Sequence, residues 1–186
     1  KGNQVALKDY IILLQNDEDA EFDIKEATEI LKKAIENGDS DAMNGYGVML
    51  YKGKGFKTNK EEGLKYIKMA MDKGNINAIM NYALFLSINK DTSSNIEEWS
   101  KYFKLAIEKG NSNAMYQYAN ALLPYNKEEA IKYYKMAINE GNANAMNRYA
   151  IVLFSGEGGV QINKNEAIKY LKMSAELGNT DSMNNL

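Results

Sequence analysis

Gly141-Asn142-Ala143-Asn144-Ala145-Met146 is one of six near-copies of a single hexapeptide. The others are Gly2-Asn3-Gln4-Val5-Ala6-Leu7, Gly38-Asp39-Ser40-Asp41-Ala42-Met43, Gly74-Asn75-Ile76-Asn77-Ala78-Ile79, Gly110-Asn111-Ser112-Asn113-Ala114-Met115 and Gly178-Asn179-Thr180-Asp181-Ser182-Met183. Counted from glycine to glycine, the spacings are 36, 36, 36, 31 and 37 residues. A period in this range marks a solenoid of stacked supersecondary units, each too small to bury its apolar face alone. The repeats divide the chain into approximately 2–37, 38–73, 74–109, 110–140 and 141–177, with a partial unit 178–186, and the expectation is one array over 1–186.

Two helices emerge within each repeat. In helix A, Ala or Ser stands four residues after the glycine (Ala6, Ala42, Ala78, Ala114, Ala145, Ser182). Tyrosine stands at eight (Tyr10, Tyr46, Tyr82, Tyr118, Tyr149) and Leu at twelve (Leu14, Leu50, Leu86, Leu122, Leu153). Offsets of four, eight and twelve share one helical face, so this is the packing stripe. Helix B opens with Asp23, Asn59, Asn95, Asn126 or Asn163, followed three residues later by Glu26, Glu62, Glu98, Glu129 or Glu166. That is capping-box spacing, in which the cap accepts from the N3 amide and the glutamate reaches back to the cap. The next junction glycine then supplies a left-handed helix end, and the Asn or Asp after it caps the following helix A.

The fourth repeat is short because Leu122-Leu123-Pro124-Tyr125-Asn126 joins its helices with five fewer residues than the first three. Pro124 stops helix A. Trp99 stands in the third helix B where the others carry Ala27, Gly63, Ala130 and Ala167, and reads as a repeat-specific packing change.

Composition narrows the chemistry. There is no Cys and no His, which removes thiol nucleophiles, imidazole bases, disulfides and the usual zinc ligands. Net charge is -2, and the cations are 22 Lys against the single Arg148, an unfavourable set for reading nucleic acid. No apolar run approaches the roughly 20 residues of a membrane-spanning helix. No Asn begins a glycosylation acceptor, and with the missing cysteines this places the expectation in the cytoplasm. No cofactor is expected. Lys1 at a junction and Leu186 inside a helix A suggest a fragment or processed product, with repeats, caps or another domain outside it.

The pattern resembles the Sel1-like repeat, a helical-hairpin relative of the tetratricopeptide repeat. The last full unit carries it best: Ala145, Tyr149-Ala150 and Leu153-Phe154, then Gly156-Glu157-Gly158-Gly159-Val160, then Asn163, Ala167, Tyr170-Leu171, Ser174-Ala175 and Gly178-Asn179. The resemblance implies an all-α solenoid, a right-handed superhelix of about five hairpins. It departs from the family in having Tyr where Leu is usual in helix A and in lacking the loop glycines of the first, third and fourth units. The branch that staples each repeat with a disulfide does not apply. Members of the family act as adaptors and scaffolds, so the resemblance implies a module for a protein or peptide partner and transfers no catalytic residue. The alternative is a regulatory or targeting segment of a larger enzyme such as a kinase, which a flanking Gly-rich loop, strand Lys and catalytic-loop Asp would establish.

Several local features read as structure. The acidic run Asp17–Asp23 lacks the Gly and Glu that a calcium loop needs at its sixth and twelfth places, where Phe22 and Thr28 stand. Gly53-x-Gly55 and Gly156-x-Gly158-Gly159 follow helices rather than strands and read as turns. Met43, Met115, Met146 and Met183 read as core.

Two surfaces remain as binding candidates. One is the inner face of helix A, where Asn44, Asn81, Gln117, Asn120, Asn147 and Arg148 collect; amides pair with an extended peptide backbone, and a guanidinium holds a carboxylate bidentately. The other is a basic stripe on helix B, Lys32, Lys68, Lys104, Lys135 and Lys172, with Lys65, Lys101, Lys132 and Lys169 three residues earlier, suited to an acidic partner.

Overall fold

The structure is a computed structural model that describes residues 24–53, 57–88 and 96–186. The first hexapeptide, Tyr10, Leu14, the acidic run, the caps Asp23 and Asn95, and Gly55 lie outside the described residues, as do the side chains of Glu26 and Ala27. The described elements are α-helices in alternating B and A roles: α1 (Ile24–Glu36), α2 (Ser40–Lys52), α3 (Lys60–Asp72), α4 (Ile76–Ile88), α5 (Ile96–Glu108), α6 (Ser112–Leu122), α7 (Lys127–Asn139), α8 (Ala143–Ser155), α9 (Lys164–Glu176) and the short α10 (Thr180–Asn184). No strand occurs among them, and one turn of 3₁₀ helix, Glu157–Gly159, follows α8. The chain divides into two compact units, Lys1–Tyr82 and Ala83–Leu186.

In the first unit α2 packs on α3 and α1 packs on α2. Leu31 of α1 meets Ala42, Tyr46, Met49 and Leu50 of α2, with Tyr66 of α3 laid edge-on against Tyr46 at 4.9 Å between ring centres. The hairpin is unusually tight: a Cβ on Gly47 would lie 2.7 Å from the Gly63 carbonyl oxygen, and one on Gly63 would lie 2.8 Å from the Tyr51 nitrogen. In the second unit α6 pairs with α7 and α8 with α9 inside repeats, while α5–α6, α7–α8 and α9–α10 join successive repeats. Aromatic contacts run through it. Trp99 is edge-on to Phe103 and Tyr118, Tyr118 meets Tyr133 at 4.6 Å, and Tyr134 stacks on Tyr149 at 5.5 Å. Met43 and Met146 are core, as expected, Met115 is half-buried, and Met183 is exposed on α10.

Every described junction is built alike. The glycines Gly38, Gly74, Gly110, Gly141 and Gly178 all have φ between 76° and 86°, the left-handed region that side chains with a Cβ resist. Each glycine amide donates to the carbonyl three residues back and the following amide to the carbonyl five back, as in Gly74 to Met71 (2.8 Å) and Asn75 to Ala70 (3.0 Å). This is the Schellman arrangement, and it satisfies carbonyls that the helix end would otherwise orphan.

The helix B caps differ from expectation in one respect. Asn59, Asn126 and Asn163 each accept the N3 amide at 3.1 Å, as predicted. The glutamate, however, meets the side-chain amide of the cap rather than its backbone N–H, at 2.9 Å for Glu62 and Glu166 and 3.4 Å for Glu129. The backbone N–H is already spent: Asn59 donates to Leu50 (2.9 Å), Asn126 to Leu122 (2.8 Å) and Asn163 to Leu153 (2.9 Å). Long and short connections therefore close on the same bond, which is how the fourth repeat loses loop residues without losing a helix.

One core pair is polar. Ser174 and Ser182 replace the buried alanine pairs Ala70 with Ala78, Ala106 with Ala114 and Ala137 with Ala145. The Ser182 hydroxyl donates to Ser174 at 2.7 Å and Ser174 donates to the Ala143 carbonyl at 2.7 Å, so the two serines satisfy each other.

Candidate functional site

The six helix A candidates are all half-buried, on α2, α4, α6 and α8. In the first unit Asn81 donates its side-chain amide to Asn44 at 3.0 Å, one repeat to the next. In the second, Asn120 is a hub: its carbonyl accepts the Tyr134 hydroxyl at 2.6 Å and Arg148 Nε at 3.3 Å. Asn147 accepts from Asn185 at 3.3 Å. Gln117 makes no side-chain hydrogen bond to another described residue. A carboxamide offers two donors and two acceptor lone pairs, so one or two internal bonds leave capacity for a peptide backbone.

The junction residues extend the same pattern. Asn75 accepts the Ala78 amide at 3.0 Å as the α4 cap, while its side-chain N–H₂ donates to Asp41 (2.8 Å) and Ser40 (3.2 Å) of the preceding repeat. Asn179 does the same, accepting from Ser182 at 2.9 Å and donating to Asn144 at 2.8 Å. Spacing within a repeat reveals only the capping half of this bond set. The exception is informative: Asp39, which cannot donate, caps α2 in the one hexapeptide whose predecessor carries Val5, a residue with no side-chain acceptor, at the place of Asp41.

Arg148, assigned from sequence to a partner's carboxylate, already holds one. Its two terminal nitrogens donate to Glu157 at 2.7 and 2.6 Å, a bidentate pair on the 3₁₀ turn after α8. Glu157 was not among the sequence candidates; the only available signal was that it is the one acid in the Gly156–Gly159 turn. The hydrogen bonds from Arg148 hold the Glu157 carboxyl below the ordinary glutamate value near 4.5. Because the folded value is depressed, this pair adds stability above the unfolded value and loses it as pH falls through the folded one. Both side chains are partly solvated, so the contribution is modest, about 1 kcal/mol. Glu157→Gln is therefore expected to be less stable than the native chain by about that amount at pH 7. Urea titrations should find the gap closing as pH falls below the ordinary glutamate value of 4.5.

The lysines of the helix B stripe, Lys32, Lys68, Lys104, Lys135 and Lys172, are all exposed, as are Lys65, Lys101, Lys132 and Lys169. Lys68 leans over the Tyr82 ring (5.2 Å) and Lys104 over Tyr118 (5.9 Å), each the tyrosine of the next helix A, and Lys104 also lies 3.7 Å from Glu129. Burial pushes the Tyr149 phenol up to about 12 and raises Tyr134 as well, so both stay neutral packing groups at physiological pH. Among the described residues no group of three or more Asp or Glu is placed to hold a metal ion, and no helix is long and apolar enough to cross a membrane.

A sequence model of the Sel1 repeat matches residues 15–39, 40–75, 112–142 and 143–179, and the internal stretch that it leaves out, 76–111, is the one with Trp99. A Sel1 repeat protein from Oxalobacter formigenes superposes with a TM-score of 0.67 at 24% identity, covering 93% of this chain and 73% of that one. c5321, described as a protective antigen of uropathogenic Escherichia coli with an SLR fold, gives 0.63 at 22% identity, with all of this chain matching 40% of that one. The immunity protein Pa5087 from Pseudomonas aeruginosa gives 0.69 at 19%, covering 98% of this chain and 69% of that one. No curated protein matches the chain. Sel1 repeat proteins are generally protein-interaction scaffolds. With the repeat model covering well over half of its length and the same helical solenoid fold in its structural neighbours, the chain belongs to the Sel1 repeat family.

Proposed function

We propose that this chain is a scaffold that binds a partner protein through an extended peptide segment laid along the helix A amides. The observation that supports the reading is the register of those amides. Asn81 is bonded to Asn44 on the adjacent repeat of the first unit, and in the second Arg148 is bonded to Asn120 and Asn185 to Asn147, with Asn44, Asn81, Asn120, Asn147 and Arg148 all half-buried. Within either unit, donors and acceptors held in place this way can read a peptide backbone with little ordering cost. Arg148 adds a cation, which a partner carboxylate reaches by displacing Glu157.

The test is to select a nine-residue peptide from a random display library on the folded chain and titrate it by calorimetry against single variants. Asn81→Ala, Gln117→Ala and Arg148→Ala are each expected to weaken binding about five- to tenfold, close to 1 kcal/mol per lost bond. Glu157→Gln is expected to tighten binding of peptides bearing a carboxylate. Unchanged affinity in all three alanine variants removes this surface as the binding site.

A further inference from the structure

Glu157 does more than neutralise Arg148. It carries the only side chain between Ser155 and Val160, and its carboxylate is one of the contacts that hold the Gly156-Glu157-Gly158-Gly159 turn in place. Two others reach back to the preceding repeat. Gly158 lies on Leu123, where a Cβ would come within 2.9 Å of the leucine side chain, and the Gly159 carbonyl accepts from Lys127 Nζ at 3.1 Å. Leu123 and Lys127 belong to the fourth repeat, whereas Arg148 and the turn belong to the fifth. The turn therefore joins two places: the guanidinium among the helix A amides, and the Leu123 side chain, which is 2% exposed. Val160, which closes the turn, is buried too.

These contacts are unequal. The Lys127 bond is single, exposed and made to a neutral acceptor. The Arg148 pair is bidentate and charge-assisted, the stronger kind of hydrogen bond. It is also the one open to replacement, since its side chains are 28% and 46% exposed and a second carboxylate can approach from solvent. For such a ligand, replacement is forced. Arg148 Nε is committed to Asn120 at 3.3 Å, so two parallel bonds to a carboxylate are available only on the face that Glu157 occupies.

We propose that Glu157 is an autoinhibitory latch: a partner carboxylate that takes Arg148 expels Glu157, frees the 156–160 turn and uncovers Leu123, so that occupancy of the helix A face alters the contact between the fourth and fifth repeats. The inference rests on the partner-binding reading given above and adds its regulation. Because two carboxylates compete for one guanidinium, the coupling is reciprocal: whatever pins the turn weakens the ligand by the factor with which the ligand loosens the turn. A segment without an acid at this point leaves the turn closed.

The chain has no cysteine, so an introduced thiol is the only one, and its reaction with dithionitrobenzoate reads the opening of the turn. Two reporters are used, Leu123→Cys and Val160→Cys, each placing a small apolar side chain at a buried position and each checked by circular dichroism, so that if one fails to fold the other still reports. Adding Glu157→Ala is expected to speed the reaction about fivefold, the upper end for loss of a partly solvated ion pair. The peptide acetyl-Ala-Ala-Glu-Ala-Ala-amide at millimolar concentration is expected to speed it toward the same limit, and its glutamine counterpart to leave it unchanged. The latch is overturned if Glu157→Ala leaves the thiol as slow as before, or if the two peptides act alike. The latch and the helix A reading fail separately. A peptide whose affinity falls in Arg148→Ala but whose binding leaves the thiol rate unchanged removes the latch and keeps the helix A site. Acceleration by the glutamate peptide with undiminished affinity in Asn81→Ala and Gln117→Ala removes the amide face and keeps the latch.

Discussion

Gly47→Val is expected to destabilise the first unit by about 3 kcal/mol, the upper part of the range for overpacking a closed core. The cause is specific. Gly47 and Gly63 let the backbones of α2 and α3 approach until a Cβ on either would lie 2.7 Å from the other's carbonyl oxygen, a separation that only movement of a whole helix relieves. The sign can be checked with a smaller change. Glycine in a helix interior is worse than alanine by about 0.5–1 kcal/mol, so in open space Gly47→Ala would stabilise the chain. In this hairpin Gly47→Ala is expected to destabilise it instead. Urea denaturation that finds Gly47→Ala as stable as the native chain, or more so, rules out the close approach. The corresponding positions of the fourth and fifth repeats, Ala119 with Ala130 and Ala150 with Ala167, already carry a Cβ and are expected to tolerate no further growth either, since all four are fully buried.

Asn75→Ala is expected to cost about 2–3 kcal/mol, more than a helix cap alone. Loss of the cap to Ala78 accounts for about 1 kcal/mol. The remainder comes from the side-chain N–H₂, which donates to a carboxylate at Asp41 and a hydroxyl at Ser40 from a site only 9% exposed. Two conservative variants separate the parts. Asn75→Ser keeps a capping oxygen and replaces the side-chain N–H₂ that bonds Asp41 and Ser40 with one shorter hydroxyl, so it should recover little beyond the first portion. Asn75→Asp also keeps a good cap but sets a second carboxylate against Asp41, and should be less stable than Asn75→Ser at neutral pH despite capping as well. Equal stability of the aspartate variant and the native chain would mean that the link to the preceding repeat contributes nothing.

These two residues also mark what the amino-acid sequence discloses and what it does not. The hexapeptide period, the tyrosine and leucine stripes and the Asn-to-Glu spacing are local signals, and the helices, junctions and caps they imply are found where the chain is described. The second bond of Asn75 is invisible at that level because its partner lies 34 residues away and is brought near only by stacking. The capping glutamates show the same limit: their spacing identifies the cap, but only the fold shows that Leu50, Leu122 and Leu153 have taken the backbone N–H, leaving the side-chain amide as the partner. Sequence places the helix A candidates on one face and says nothing of their partners, and in the fold Arg148 is bound to Glu157 and Asn120.

The two-handed asparagine has a mechanical consequence. A primary amide is planar, and the separation of its oxygen and nitrogen does not vary. With the oxygen pinned to its own helix and the nitrogen to the repeat before, Asn75 and Asn179 each act as a gauge block that sets the spacing of the two repeats they join. Force pulling those repeats apart along the stack must therefore break a cap and a cross-repeat bond together, so neighbouring hairpins should separate in abrupt steps rather than stretch.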